Sequence, residues 1–91
     1  MAVTIKLPTQ LRGAAGGAAE AQAAGGTVGE VLEGLYAQHG ELRERIAGDD
    51  GEPRRFVNVY VGGEDIRFLE GLATPVADGD EITILPAVAG G

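Results

Sequence analysis

The last residues of the chain are the ones whose types and spacing suggest chemistry. The sequence closes on Pro86-Ala87-Val88-Ala89-Gly90-Gly91. Two residues without Cβ atoms give the thinnest and most flexible backbone available, which can enter a channel too narrow for any side chain. Six residues at roughly 3.3 Å each reach about 20 Å from a folded body. Glycines also gather at chain ends that have no function, so the diglycine alone is weak evidence.

A carboxylate carried on such a tail could react inside another enzyme. It becomes an acyl donor once it has attacked the α-phosphorus of ATP to form an acyl-adenylate. Capture of the adenylate by sulfur then gives a thiocarboxylate, which stays anionic and is a better nucleophile than a carboxylate. This chemistry requires no cysteine, and the chain has none. We therefore predict that Gly91 carries the reaction and that Gly90 gives it access.

Composition narrows the range of partners. The 91 residues suffice for one compact domain, and their formal net charge is −7. Because Arg54-Arg55 is the only basic cluster, neither nucleic acid nor an anionic membrane surface is an expected partner. The acidic excess favours a partner with a basic or apolar surface, or serves only to keep the protein in solution. The sequence lacks the long apolar run of a signal peptide or membrane span, and we expect a soluble cytoplasmic protein.

The elements that must position the tail are visible as alternating apolar and polar residues. A period of two predicts strands over Val3–Leu7, Arg55–Val61 and Glu81–Leu85. A weaker strand is predicted at Glu20–Ala24, and a short one at Ile66–Phe68 after a Gly-Gly turn. The segment between the first strand and the main helix, residues 13–26, is rich in Ala and Gly and predicts a loop followed by the weak strand.

One main helix is predicted between the second and third strands. Thr27 and Glu30 have the spacing of a capping box, in which each side chain bonds the other residue's backbone N–H at a helix start. The helix is expected to run to about His39 and to stop at Gly40, with another short helical turn over Glu41–Ala47. The apolar stripe consists of Val28, Val31, Leu32, Leu35, Tyr36 and His39.

This order of elements predicts an α+β fold. The expected architecture is a mixed sheet of four to five strands, covered on one face by one main helix. Residues 1–85 would form the domain and residues 86–91 the tail.

The opposite face of the sheet is predicted to be a docking surface. If the valines of the third strand and the isoleucines of the last strand face the helix, alternation sends Phe56, Tyr60 and Leu85 outward. An open sheet face is normally polar, so an apolar patch there indicates a partner or a covering loop. We favour the partner, and we add Pro86 and Val88 of the tail to the predicted binding residues.

No metal site is expected. His39 is the only histidine, and a single imidazole is more often a packing or helix-end residue than a ligand. Neither the acidic residues of the 49–52 loop nor the Glu64-Asp65 pair matches the spacing of a calcium loop. Solvated turns are the simpler interpretation.

Three segments together, Arg55–Val61, Leu72–Asp80 and Ile84–Gly91, resemble the ThiS/MoaD/CysO family of sulfur carriers, most closely its CysO branch. The resemblance implies a ubiquitin-like β-grasp fold. It also implies that a ubiquitin-activating-like enzyme of the MoeB, ThiF or MoeZ type adenylates Gly91 with ATP, and that a rhodanese-type persulfide supplies sulfur. No bound cofactor is implied.

For the CysO branch, the resemblance further implies two partners. The thiocarboxylate would attack an aminoacrylate on a pyridoxal-phosphate cysteine synthase, and a zinc metalloprotease would release cysteine. Two alternatives stay open: the small subunit of molybdopterin synthase and a ubiquitin-like protein modifier. The final sulfur acceptor is not encoded in this chain.

Overall fold

The computed structural model describes residues 2–86. These residues form five strands and three helices. In chain order they are β1 Val3–Lys6, α1 Thr9–Arg12, β2 Glu20–Ala23, α2 Val28–Gln38, α3 Gly40–Ile46, β3 Val57–Val61, β4 Glu64–Asp65 and β5 Glu81–Pro86. Short 3₁₀ turns occupy Gly13–Ala15, Ile66–Phe68 and Gly71–Ala73.

The strands form one mixed sheet in the order β2-β1-β5-β3-β4. Strand β5 lies in the centre, parallel to β1 and antiparallel to β3. Ile82 is in register with Ile5 of β1, and Ile84 is in register with Val59 of β3. The strand that leads into the tail is thus held by backbone hydrogen bonds along both edges.

The core lies between one face of this sheet and helices α2 and α3. The strand residues in the core are Val3, Ile5, Val59, Ile82 and Ile84, all of them buried. Helix α2 contributes the predicted stripe, of which Val28, Val31, Leu32, Leu35 and Tyr36 are buried. Leu42 and Ile46 of α3 complete the layer. The predicted α+β architecture, with one helix-covered sheet face, is confirmed.

The start of α2 largely follows the predicted capping box. Thr27 Oγ1 accepts a hydrogen bond from the backbone N–H of Glu30 at 3.2 Å. Glu30 Oε1 in turn accepts from the backbone N–H of Gly26 at 2.7 Å, one residue earlier than the predicted partner. Two amides at the helix start are therefore satisfied by side chains.

Helix α2 ends at Gln38 with His39 as its C-cap, so the predicted stop before Gly40 is right to within one residue. The break lies at His39, whose φ of −135° and ψ of 82° depart from helical values. His39 still donates its backbone N–H to Leu35 and accepts from the N–H of Leu42, so it links two helices. Gly40 is the first residue of α3, which is a helix of seven residues rather than a single turn.

Strand β4 is also displaced from its predicted position. Gly62 and Gly63 form the expected tight turn, with φ values of 59° and 90° that favour residues without a Cβ. The chain then pairs with β3 at once through Glu64–Asp65, and Ile66–Phe68 is a 3₁₀ turn instead of a strand. The Asp65 side chain ends the strand because it accepts the backbone N–H of Arg67 at 2.8 Å.

Two further differences concern the ends of elements. The Ala- and Gly-rich segment is not a plain loop, because helix α1 leads directly into the 3₁₀ turn Gly13–Ala15, in which Ala15 is buried. Strand β3 begins at Val57 rather than Arg55, since the N–H of Val57 closes a turn onto the carbonyl of Arg54 at 2.9 Å.

The buried Tyr36 predicts a stability change at alkaline pH. Burial, reinforced by Glu33 and opposed by Arg43, raises the pKa of Tyr36 from 10.0 to about 12. Between these values the folded chain binds more protons than the unfolded chain, so the free energy of unfolding falls as pH rises through the window. Between about pH 9 and pH 11, we expect the urea midpoint of Tyr36→Phe to fall less than that of the wild-type protein. Tyr60→Phe is the matched control, and an equal fall in both variants would contradict the assignment.

Candidate functional site

The root of the tail is fixed by the end of strand β5. Leu85 pairs with Asn58 and Pro86 with Val57, so the ladder continues to the last described residue. The sheet thus includes Pro86, which the sequence assigned to the tail. Gly90, Gly91 and Val88 lie outside the described residues. The structure shows where the tail begins. The chemistry of Gly91 remains a prediction from the sequence.

The face of the sheet opposite the helices carries the predicted apolar side chains. The register sets Tyr60 opposite Thr83 and Leu85 opposite Asn58, so Tyr60 and Leu85 are diagonal neighbours on this face. Leu85 is 43% exposed although Ile84 beside it is fully buried. The predicted directions of these two side chains are therefore right. Tyr60 is half-buried.

Phe56 is exposed for a different reason from the one predicted. It lies in the turn before β3, not in the strand, and its side chain is 68% exposed. The next residue, Val57, pairs with Pro86. Phe56 therefore lies one residue away from the strand position that faces the root of the tail. Within the described residues no loop covers Leu85 or Phe56, and the partner interpretation of this surface remains a prediction.

A polar cluster, which the sequence gave no reason to expect, occupies the β4 side of the same face. Arg67 donates to Asn58 Oδ1 and pairs with Asp65, with Nη2 3.1 Å from Oδ2. The backbone N–H of Arg67 lowers the pKa of the Asp65 carboxyl, and the guanidinium lowers it further against the opposing effect of burial. The two-residue spacing of Asp65 and Arg67 could have suggested that Asp65 accepts the backbone N–H of Arg67. It could not have suggested the contact of Arg67 with Asn58, which depends on the β3–β4 register.

The β1 side of the face is polar as well. Lys6 pairs with Thr83 in the parallel ladder, and its Nζ lies 3.4 Å from Glu81 Oε2. Beyond Lys6, a groove runs between the start of α1 and the end of β5, and Pro8 and Pro86 both line it. The apolar surface is thus a narrow strip at the root of the tail, with hydrogen-bonded polar residues on either side.

The described part of the chain offers no alternative site. His39 is half-buried at the junction of α2 and α3, as expected for a helix-end residue. In the acidic loop, Asp50 Oδ1 accepts the backbone N–H of Glu52 at 3.0 Å, which is a turn hydrogen bond. Across residues 2–86, no three His, Asp or Glu side chains are grouped so that they could hold a metal ion. None of the helices described is both long and apolar enough to cross a membrane.

Comparison with protein families decides the relationship. The model of the ThiS family matches residues 5–91, which include strands β2 to β5, the second half of β1 and the diglycine end. The chain belongs to the ThiS family. As a ThiS-family protein it has the ubiquitin-like β-grasp fold that the sequence predicted, with β5 leading into the C-terminal residues.

Individual relatives of this ThiS-family protein are similar over their full length. It is 50% identical to the sulfur carrier protein CysO of Mycobacterium tuberculosis, with all of both chains aligned. A crystal structure of a BexX/CysO complex from Amycolatopsis orientalis matches with a TM-score of 0.89 and 45% identity, over 98% of this chain and 99% of that one. The small archaeal modifier protein 1 of Haloferax volcanii matches with a TM-score of 0.82 and 32% identity, over 96% of this chain and 98% of that one.

Leu85 provides a test of the docking surface. We expect Leu85→Asp to weaken binding to an activating enzyme by several-fold or more, because an apolar interface anchor is typically worth about 1 kcal/mol or more. The fold should persist, since Leu85 is already partly exposed. Binding is measured by calorimetry and folding by thermal denaturation. Ile84→Asp is the contrasting variant and should unfold the domain by burying a charge. Unfolding by Leu85→Asp, or unchanged binding, would contradict the surface.

Proposed function

We propose that the chain is a sulfur carrier that donates sulfur from a thiocarboxylate on Gly91. The observation that carries this proposal is the full-length identity of 50% to a sulfur carrier protein, CysO. The family match, which runs through Gly90 and Gly91, supports placing the reaction at the end of the chain. The protein acts as a co-substrate of other enzymes and is not itself a catalyst.

The geometry supports a reaction that takes place away from the domain. Pro86 is held in the central strand, opposite Val57. The five residues that follow can extend by roughly 17 Å. A partner can therefore bind the exposed strip around Leu85 and Tyr60 while Gly91 enters its active site. A fixed root limits the positions that the carboxylate can reach, which favours alignment with the reacting groups.

The proposed reaction has three steps, all on the partner enzyme. A carboxylate oxygen of Gly91 attacks the α-phosphorus of ATP, and pyrophosphate leaves. A persulfide sulfur then forms a bond to the acyl carbon and AMP leaves. Reductive cleavage of the S–S bond by a thiol leaves the thiocarboxylate on Gly91 and a disulfide on the donor. The carrier holds no cofactor in this scheme, and ATP is consumed by a ubiquitin-activating-like enzyme.

The sulfur acceptor is the finer part of the proposal. The resemblance to the CysO branch implies cysteine synthesis, with a pyridoxal-phosphate cysteine synthase as acceptor and a zinc metalloprotease that frees the product, and the identity to a CysO protein supports that branch. The A. orientalis relative was crystallised in a complex with BexX, which supports stable association of a carrier of this kind with a partner protein. We assign the choice of acceptor to the partner, because the reactive group is the same for each.

Intact mass tests the function directly. Incubation with ATP, an adenylating enzyme of this family and a persulfide donor should raise the mass by about 16 Da, the difference between sulfur and oxygen. Mass spectrometry of the whole protein gives the readout. An unchanged mass with partners that act on a known carrier would argue strongly against the proposal.

Deletion of Gly91 is the matched control for this measurement. It moves the carboxylate by roughly 3.5 Å along the tail. Displacement by about 1 Å can already reduce such a reaction a hundredfold, so the gain in mass should nearly vanish. The melting temperature should not change, because a single residue at the chain end contributes little to core packing. A normal gain in mass by the deletion variant would show that the reactive group is elsewhere.

A second candidate function is supported by the similarity to a small archaeal modifier protein. A modifier would join Gly91 to amines of other proteins, and chains of this protein could be joined only through Lys6, its single lysine, or through an N-terminal amine. If it is a modifier, cell extracts should contain isopeptide-linked conjugates, and Lys6→Arg should remove any self-linked ladder that is not joined through the N-terminus. Western blots of both forms provide the measurement. Full sulfur transfer without any conjugate would exclude this function.

A further inference from the structure

Lys6 is the single lysine of the chain, and it lies on the open face of the sheet. Its neighbour Ile5 is fully buried in the core, so alternation directs the Lys6 side chain to the opposite face. Lys6 is in register with Thr83 of β5, and both residues line the groove that also contains Leu85 and Pro86. The lysine amine of the protein is therefore next to the root of the tail.

The amine of Lys6 is accessible to a reacting group. Lys6 Nζ lies 3.4 Å from Glu81 Oε2, and the two side chains are 47% and 50% exposed. A half-exposed ion pair of this kind is worth little, because water replaces either partner at small cost in free energy. None of the described residues that line the groove carries a carboxylate. Lys6 is thus free to leave Glu81 and to turn towards the end of β5.

The tail is long enough to bring Gly91 back to this amine. Pro86 lies three residues beyond Thr83, the register partner of Lys6. At about 3.3 Å per residue along a strand and about 4.8 Å between strands, the Cα atoms of Lys6 and Pro86 are roughly 11 Å apart. The residues after Pro86 span up to about 17 Å. A turn within residues 87–91, which include two glycines, therefore suffices to place the Gly91 carbonyl at Lys6 Nζ.

The chemistry follows from the activated form of the tail. An adenylated Gly91 is an acyl donor, and a neutral amine is a nucleophile that reacts with it. The lone pair of Lys6 Nζ attacks the acyl carbon, an amide C–N bond forms, the C–O bond to AMP breaks, and the amine proton passes to solvent. This reaction requires a tail that has left the partner, because an extended tail in the partner's active site holds Gly91 roughly 17 Å from Pro86.

We propose that Lys6 is an intramolecular acyl acceptor, which captures adenylated Gly91 when the tail leaves the adenylating enzyme before it has received sulfur. The activated carbonyl comes from the adenylation step, so this role rests on the proposed function. The closed chain is an inactive product: it has no terminal carboxylate, and its tail passes over Leu85 on the predicted docking surface. A thiocarboxylate lacks the AMP leaving group, so sulfur transfer protects the carrier from closure.

Omission of the sulfur donor gives the direct test. The wild-type carrier is incubated with ATP and an adenylating enzyme of this family at about pH 9, where more of a lysine amine is neutral than at about pH 7. Pyrophosphate release reports adenylation, and intact mass reports the product. We expect a species lighter than the carrier by about 18 Da, the mass of the water lost. Its yield per pyrophosphate released should not change when the carrier is diluted roughly tenfold, because the reaction is intramolecular.

Two variants locate the new bond. Lys6→Arg keeps a positive charge beside Glu81, but its guanidinium stays protonated, so the lighter species should vanish. In Lys6→Arg/Ala77→Lys the single lysine lies before the start of β5, whose length alone is about 17 Å. Its yield should be at least about tenfold lower than that of the wild type. Trypsin should leave residues 1–12 of the wild-type product joined to residues 68–91.

Three results would overturn self-acylation by Lys6. The first is an equal loss of mass in Lys6→Arg. The second is a product that consists only of two joined chains, which is intermolecular conjugation. The third is no loss of mass by a wild-type chain that releases pyrophosphate and gains sulfur normally when the donor is added. Absence of pyrophosphate release, with an enzyme that activates a known carrier, would instead refute the proposed function.

Discussion

The parallel pairing of β1 with β5 is the interaction on which the rest of the structure depends. It brings the first and last strands of the chain together in the middle of the sheet, with Ile5 in register with Ile82. Every other element is added to this pair: β2 on one side, β3 and β4 on the other, and the helices over one face. Parallel strands must be joined by a long connection. The connection between β1 and β5 contains α2 and α3, and these helices cover the apolar face of the sheet. The same pairing fixes the point where the tail begins.

The periodicity of apolar residues correctly predicted the strands and the helix that bury one face and expose the other. Burial of one face explains both the alternation around Ile5, Val59 and Ile82 and the apolar stripe of α2. The structure buries these residues on the predicted faces. The missed features depend on contacts between distant residues or on backbone choices with small energy differences. The end of α2 before Gly40 was predicted, but the full helix that starts at Gly40 was not, because the burial of Leu42 and Ile46 in the core stabilises it.

The same division applies to the candidate site. Alternation was sufficient to place Tyr60 and Leu85 outward, because the two-residue period of a strand can be read without knowledge of the neighbouring strands. The Asn58–Arg67 contact could not be foreseen, since it requires the β3–β4 register and the 3₁₀ turn after Asp65. The ion pairs of Lys6 with Glu81 and of Arg43 with Glu33 also emerge only from the folded chain, because their partners are not neighbours in the sequence.

The central position of β5 also has a consequence for biosynthesis. A growing chain that has been made only as far as residue 80 lacks the strand that joins β1 to β3, so its apolar side chains have no completed sheet to pack on. Contacts between the two ends of a sequence also form late and slowly, because much of the chain must be ordered first. The domain thus reaches its native state only when the strand that bears the tail has been added. Incomplete chains therefore stay accessible to proteases, and a folded molecule of this protein is one that already has its fifth strand, Glu81–Pro86, in place.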